Sequence, residues 1–227
     1  MKTKLFLLGL LVWSVGAMAQ EIATNNFSLS PSAAIPDGSP VGLMEQFNVT
    51  GLAGGVTNVQ VSLDIMGGFN GDLYAYLAGP QGQLAVLLNR PGITASNPFG
   101  YGNGGFDITL DGLTTANIHG YGSSYGVNGS GQVLGTWGAD GRAINPQSAG
   151  SVFDGAATSA NLGVFQNTNP NGVWTLFIAD LSAGGGTASL NNVVLSIMTV
   201  PEPNAPAIFG GAMAMWLLLK RNRAFQK

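Results

Sequence analysis

The sequence contains no cysteine, which excludes disulfides, thiolate metal sites and thiol catalysis. Charge is almost as scarce, since only 8% of the 227 residues are Asp, Glu, Lys or Arg. Between Gln20 and Val200 the only basic residues are Arg90 and Arg142. A nucleic-acid binder needs clustered Lys and Arg to neutralise phosphates, so that class is excluded. A helix-forming composition is missing too. Glu, Lys and Arg are rare, and 35 glycines are spread along the chain, each costing a helix interior about 1 kcal/mol. The single histidine, His119, cannot make a zinc site alone, because such sites take three or four ligands with His or Cys prominent. A solvated loop position is expected for it.

What is present is apolar and acidic. Hydrophobic residues make up 45% of the chain, enough for a real core and too many for a disordered polymer. The acidic residues of the body are Glu21, Asp37, Glu45, Asp64, Asp72, Asp107, Asp111, Asp140, Asp154 and Asp180, set against two arginines.

The two ends read as addresses. Lys2 and Lys4 precede an apolar run from Leu5 to Val15, and small residues follow at Ala17 and Ala19. This is the n-region, h-region and cleavage site of a signal peptide over 1–19, with signal peptidase cutting after Ala19. At the other end Pro201, Glu202 and Pro203 precede an apolar stretch from Ala205 to Leu219, then Lys220, Arg221 and Arg223. A helix over that stretch is short for a hydrocarbon core of about 30 Å, and the basic cluster would stay on the cytoplasmic side. The order of parts over 199–227 resembles the PEP-CTERM sorting signal. That resemblance implies handling by an exosortase with processing near Pro201-Glu202-Pro203. Both ends place the body outside the cytoplasm, at a cell surface or beyond it, anchored to the membrane transiently or permanently.

The body alternates apolar and polar residues with the period of half-buried strands. Val59, Val61, Leu63 and Ile65 share one face of the segment Val56–Ile65. Leu73–Leu77 and Leu84–Leu88 are compact apolar runs around the turn Gly79-Pro80-Gln81-Gly82. Phe106–Leu110, Trp174–Ile178 and Leu190–Ile197 alternate again. No sustained 3.6-residue period occurs before Ala205. The pattern predicts an all-β fold, one antiparallel β-sandwich over 35–198, preceded by a leader at 20–34 and flanked by hydrophobic helices at both ends. Between Gly112 and Ala160 the alternation fades, which predicts long loops with one or two short strands. Tyr101, Tyr121 and Tyr125 lie in or near that region, as a stacking surface for sugars or as packed loop aromatics.

Two stretches resemble the P domain, also called P/Homo B, that follows the catalytic domain of subtilisin-like proprotein convertases. The first includes Ile35-Pro36-Asp37-Gly38, Phe69-Asn70-Gly71-Asp72-Leu73 and Gly79-Pro80-Gln81-Gly82. The second is Asn171-Gly172-Val173-Trp174-Thr175-Leu176-Phe177-Ile178-Ala179-Asp180. The histidine common before Gly-Asp-Leu in that family is glycine here, Gly67 or Gly68, and 90–160 matches poorly. The resemblance implies a jelly-roll-like sandwich of the kind that supports an adjacent protease, with calcium contacts in some members. The protease domain itself is absent from this sequence, so its activity does not carry over.

On the residues themselves, Gly71 suits a tight turn, Asp72 a backbone cap, Trp174 the core and Asp180 a turn at a strand end. The functional alternative has Asp64, Asp72 and Asp180 as calcium ligands through their oxygens; no other cofactor is expected. Gly122-Ser123-Ser124-Tyr125-Gly126 fits a hydrolase elbow, but the required downstream histidine is missing. Gly100-Tyr101-Gly102-Asn103-Gly104-Gly105 fits a dinucleotide fingerprint but leads into a strand pattern, where no helix N-terminus would hold phosphate. No catalytic residue is assigned. The leading expectation is a non-catalytic surface or matrix protein with a structural or adhesive role. The alternatives are a displayed calcium- or polysaccharide-binding module, or an accessory domain related to those of subtilisin-like serine proteases.

Overall fold

The computed structural model describes residues 21–200. Ala17, Ala19, Pro201, Glu202, Pro203 and the two terminal hydrophobic segments expected as helices lie outside that range. Among the described residues no helix is long and apolar enough to cross a membrane.

The fold is an all-β sandwich of two sheets. One contains β1 (Ala23–Leu29), β2 (Ala33–Ile35), β4 (Gly55–Met66), β7 (Gly105–Asp111), β8 (Val133–Trp137) and β10 (Ala188–Val200). The other contains β3 (Ser39–Val49), β5 (Leu73–Ala78), β6 (Leu84–Asn89) and β9 (Gly172–Asp180). Their orders are β1-β10-β4-β7-β8, with β2 also on β10, and β3-β9-β5-β6. Pairing is antiparallel except between β7 and β8, which run parallel. The only α-helix among the described residues, α1 (Gly150–Asp154), is one short turn, as a glycine-rich, charge-poor chain requires.

Alternation decides which face is buried. Val59, Val61, Leu63 and Ile65 of β4 and Val193, Leu195 and Ile197 of β10 face Leu73, Ala75 and Leu77 of β5 and Trp174, Leu176 and Ile178 of β9 in one core. Trp174 is fully buried, as expected, and its indole N–H donates to the Pro170 carbonyl at 2.8 Å. That bond satisfies a donor that burial would otherwise leave unpaired.

Two boundaries differ from the sequence reading. Within the segment 20–34 expected as a leader, residues 23–29 and 33–34 belong to the sandwich, since β1 and β2 pair with β10. β10 also continues through Thr199 and Val200, two residues past the expected end of the body.

The edges are guarded. Along β6, backbone N–H groups of Asp140 and Gly141 bond Leu87 and Val86, and Val86 N–H bonds Ala160, so the 139–160 loop closes that edge. At the β3 edge, Glu45 stands in register with the core residue Leu176, an inward charge that discourages another strand from adding there.

Ala23 is paired with Thr199, so the described chain enters and leaves at one pole of the sandwich. The opposite pole gathers the turn after β2, the start of β5, the loop after β6 and the loop after β9.

Candidate functional site

The far pole holds most of the ionisable groups singled out in the sequence. Asp72 closes a 3-10 turn, Asn70–Asp72, before β5, and Asp180 ends β9. The register pairs Leu73 with Asp180, which brings Asp72 beside it. Gly71 is required there by close approach: a Cβ would lie 2.5 Å from the Phe99 carbonyl oxygen and 2.7 Å from the Tyr101 nitrogen. The loop at 99–101 therefore lies directly on the turn.

Asp72 makes no cap to the turn, contrary to expectation. Its carboxylate pairs with Arg90 Nη2 at 3.3 Å, while Arg90 Nε donates to the Gly71 carbonyl at 3.0 Å. Arg90 has φ +48°, a left-handed backbone that costs a non-glycine residue energy and here aims the guanidinium at the turn. Burial nevertheless pushes the Asp72 carboxyl up, outweighing the opposing Arg90 charge.

Asp180 is fully buried. Its Oδ1 accepts from Ser182 N at 3.3 Å, the turn role expected of it, and its Oδ2 has no partner. Burial, reinforced by the charges of Asp72 and Asp37, pushes its carboxyl up to about 6. Asp37 completes the group, accepting from Gly184 N at 3.2 Å. Three carboxylates thus share one arginine.

Asp64 does not join them. It lies on the outer face of the other sheet, directly opposite Asp107, and its Oδ1 accepts from Gln132 Nε2 at 2.6 Å. Among the described residues no three His, Cys, Asp or Glu side chains are arranged to hold a metal ion. Asp37, Asp72 and Asp180 share a pole without forming such a group. Asp180 Oδ2 has no partner, while Arg90 already occupies Asp72.

His119 is not solvated; it is buried. Its Nδ1 meets Asp140 Oδ2 at 2.7 Å and its Nε2 meets the Ile93 carbonyl at 2.9 Å, with the ring stacked on Phe153. Asp140, fully buried, also accepts from Arg142 Nη1 at 3.0 Å and from Asn89 N at 3.2 Å. This His–Asp–Arg group clamps the loops around 93, 119, 142 and α1 onto the end of β6. Sequence reasoning missed it, although the signal was present in outline, since Asp140 stands two residues from one of the two body arginines. Ser124 is placed at the end of the 3-10 turn Ile118–Ser123, and its backbone N–H bonds Tyr121. Both histidine nitrogens are taken by acceptors, so the serine and histidine form no nucleophile–base pair.

The tyrosines are packed loop aromatics. Tyr121 is fully buried; its hydroxyl accepts from Asn70 and donates to Asn103, both at 3.0 Å. Burial pushes its phenol up. Its ring contacts Tyr101, Phe106, Tyr125 and Trp137. Only Tyr125 is substantially exposed, so the three present no open stacking surface.

Two predictions follow from this geometry. An acid whose folded value lies above its unfolded one binds more protons when folded, so stability falls as pH rises between them. Unfolding free energy should therefore drop from about pH 4 to about pH 6 through Asp180, by on the order of 2 kcal/mol. Asp180→Asn should flatten that slope in urea melts at stepped pH and raise stability at pH 7.5. In the second, His119→Ala leaves Asp140 and the Ile93 carbonyl short of donors in the interior. It should cost about 3 kcal/mol or more, whereas Ser124→Ala should change stability by no more than about 0.5 kcal/mol. Chemical denaturation of both variants checks this.

No model of a known protein family matches the chain, and no curated protein does. Among solved structures it is similar to the serine protease of Aeromonas sobria, with TM-score 0.44 and 13% identity over 80% of this chain and 28% of that one. It is similar in the same degree to that protease in complex with its chaperone, with TM-score 0.44 and 14% identity over 79% of this chain and 27% of that one. The chain thus spans little more than a quarter of the structures it matches. A likeness this weak assigns neither kinship nor activity.

Proposed function

We propose that this chain is a non-catalytic protein exported to a bacterial cell surface or extracellular matrix, where its sandwich serves a structural or adhesive role. The observation that carries this reading is the pairing of Ala23 with Thr199, which puts both ends of the described residues at one pole. A tether following Val200 would then hold the sandwich by that pole and present the other, with its carboxylates and long loops, outward. Signal peptidase would act at Ala17 and Ala19, and an exosortase at Pro201-Glu202-Pro203. The engagement of His119 and of both body arginines inside the fold supports a role without turnover.

The test is delivery in a host carrying an exosortase. The full chain should become accessible to protease added outside the cell. Replacing Pro201-Glu202-Pro203 with three alanines should leave it retained in the inner membrane. Equal surface exposure of both forms, or cytoplasmic retention of the unaltered chain, would refute the sorting reading.

A second reading is favoured by the unpartnered Asp180 Oδ2. Here the pole takes up calcium at Asp180 Oδ2, with Asp64 taking no part. A hard cation there would offset the crowding of three carboxylates that Arg90 offsets only in part. Millimolar calcium should then raise the melting temperature of the purified chain by several degrees, and Asp180→Asn should abolish the shift. A melting curve indifferent to calcium at pH 7.5 removes this reading and leaves the first untouched.

A further inference from the structure

Away from that pole, a cleft of about 280 Å³ opens between the loop after β7 and the loop before the 3-10 turn Leu162–Phe165. Small residues, Gly112, Gly138 and Ala139, are part of its lining. Gly138 has no room for a side chain, since a Cβ would lie 2.4 Å from the Thr114 carbonyl oxygen. Thr114, Thr115 and Thr158 also line it, and their hydroxyls make no hydrogen bond to another described residue. Leu113, two-thirds exposed, adds an apolar flank, and Asn161 an amide.

Only one lining side chain is charged. Asp111 Oδ1 accepts from Asn58 Nδ2 at 2.8 Å and Leu113 N at 2.9 Å, and Oδ2 accepts from Gln60 Nε2 at 3.1 Å. These bonds spread its charge and fix its orientation while leaving a lone pair of Oδ2 free for a hydroxyl donor. No Lys, Arg or His lines the cleft, so nothing there compensates a phosphate, sulfate or uronate. Uncommitted hydroxyls, one oriented acceptor and an apolar flank suit a ligand that is itself hydroxylated, uncharged and apolar on one face. The volume, just under the roughly 300 Å³ at which small-molecule sites begin, has room for one ring and little more.

We propose that this cleft binds a single uncharged pyranose residue of a polysaccharide, its hydroxyls bonded to Asp111 and the threonines and its C–H face against Leu113. This supplies the adhesive reading with a ligand class and moves the sugar contact from the buried tyrosines to residues that sequence patterning did not suggest. Binding is read in solution and does not depend on where the chain is delivered, so its failure is distinct from failure of the sorting reading.

The experiment titrates the purified full chain, in a sugar-free detergent, against dextran, cellohexaose and galactomannan. Polygalacturonate and chitosan serve as anionic and cationic controls, and saturation-transfer NMR and calorimetry give the readout. At least one uncharged glycan should bind. Thr114→Val with Thr115→Val, which removes hydroxyls and keeps shape, should weaken that binding about ten-fold, with no change in melting temperature. Thr158→Val serves as a separate variant should the pair destabilise the loop, and it should weaken binding in the same direction. Tyr125→Ala should leave affinity unchanged. The proposal is overturned if no uncharged glycan binds, if binding is confined to chitosan or polygalacturonate, if the threonine variants bind normally, or if Tyr125→Ala abolishes binding.

Discussion

A body with two arginines against ten carboxylates must place each cation where a carboxylate has lost its water. Three aspartates are buried, Asp72, Asp140 and Asp180. Arg90 goes to Asp72, while Arg142 and His119 both go to Asp140. None is left for Asp180. Its raised carboxyl and the unpartnered Oδ2 are the visible consequence of that shortage. An isolated buried charge is costly, and a protein relieves it by protonation or by a counter-ion. Asp180 and Asp72, both with raised carboxyls, are therefore places at the far pole where pH can change the balance of the fold.

Asparagine does elsewhere what charge does in more ordinary domains. Asn70 bonds the carbonyl and the N–H of Gly105 and the Tyr121 hydroxyl, joining the turn before β5 to the start of β7. Asn97 closes its own loop onto Gly92 and Gly100, and Asn117 ties its segment to Ala139 and Asp140. Asn171 bonds Leu52 in both directions across the near pole. An amide carries donors and an acceptor on one short side chain, so it can bridge two backbones without the desolvation cost of a charge. This is how long glycine-rich loops lie ordered on a sandwich with so few ion pairs.

The core strands were legible because their burial has period two, and β4, β5, β7, β9 and β10 stand where alternation placed them. β3 escaped notice for a physical reason. At an open edge Val41 and Met44 are exposed, Pro40 and Gly42 break the run, and a register shift separates Ser39 from Leu43, so the pattern never settles. β1 is a polar edge strand recognisable only by its partner β10. At the far pole the nearness of Asp72 and Asp180 was not visible in either motif alone, because it follows from the register of β5 on β9. His119 was placed in solvent since its neighbours in sequence are polar and glycine-rich. Its neighbours in space, Ile93, Asp140 and Phe153, lie 26, 21 and 34 residues away. Asp64 looked equivalent to the other aspartates in sequence, and only the choice of sheet separates them.

Catalysis needs a group held in position with a valence still free for the substrate. Here the base, the guanidinium groups and most amides of the loops have spent theirs on neighbouring backbone or carboxylate. Two sets of free polar valences among the described residues stand out. One is a small set of buried acceptors, Asp180 Oδ2, Asn58 Oδ1, Asn89 Oδ1 and Gln83 Oε1. The other is the threonine hydroxyls of the cleft beside Asp111. Acceptors and hydroxyls of this kind can recognise a cation or a sugar. It is on such groups that the proposed attachment rests.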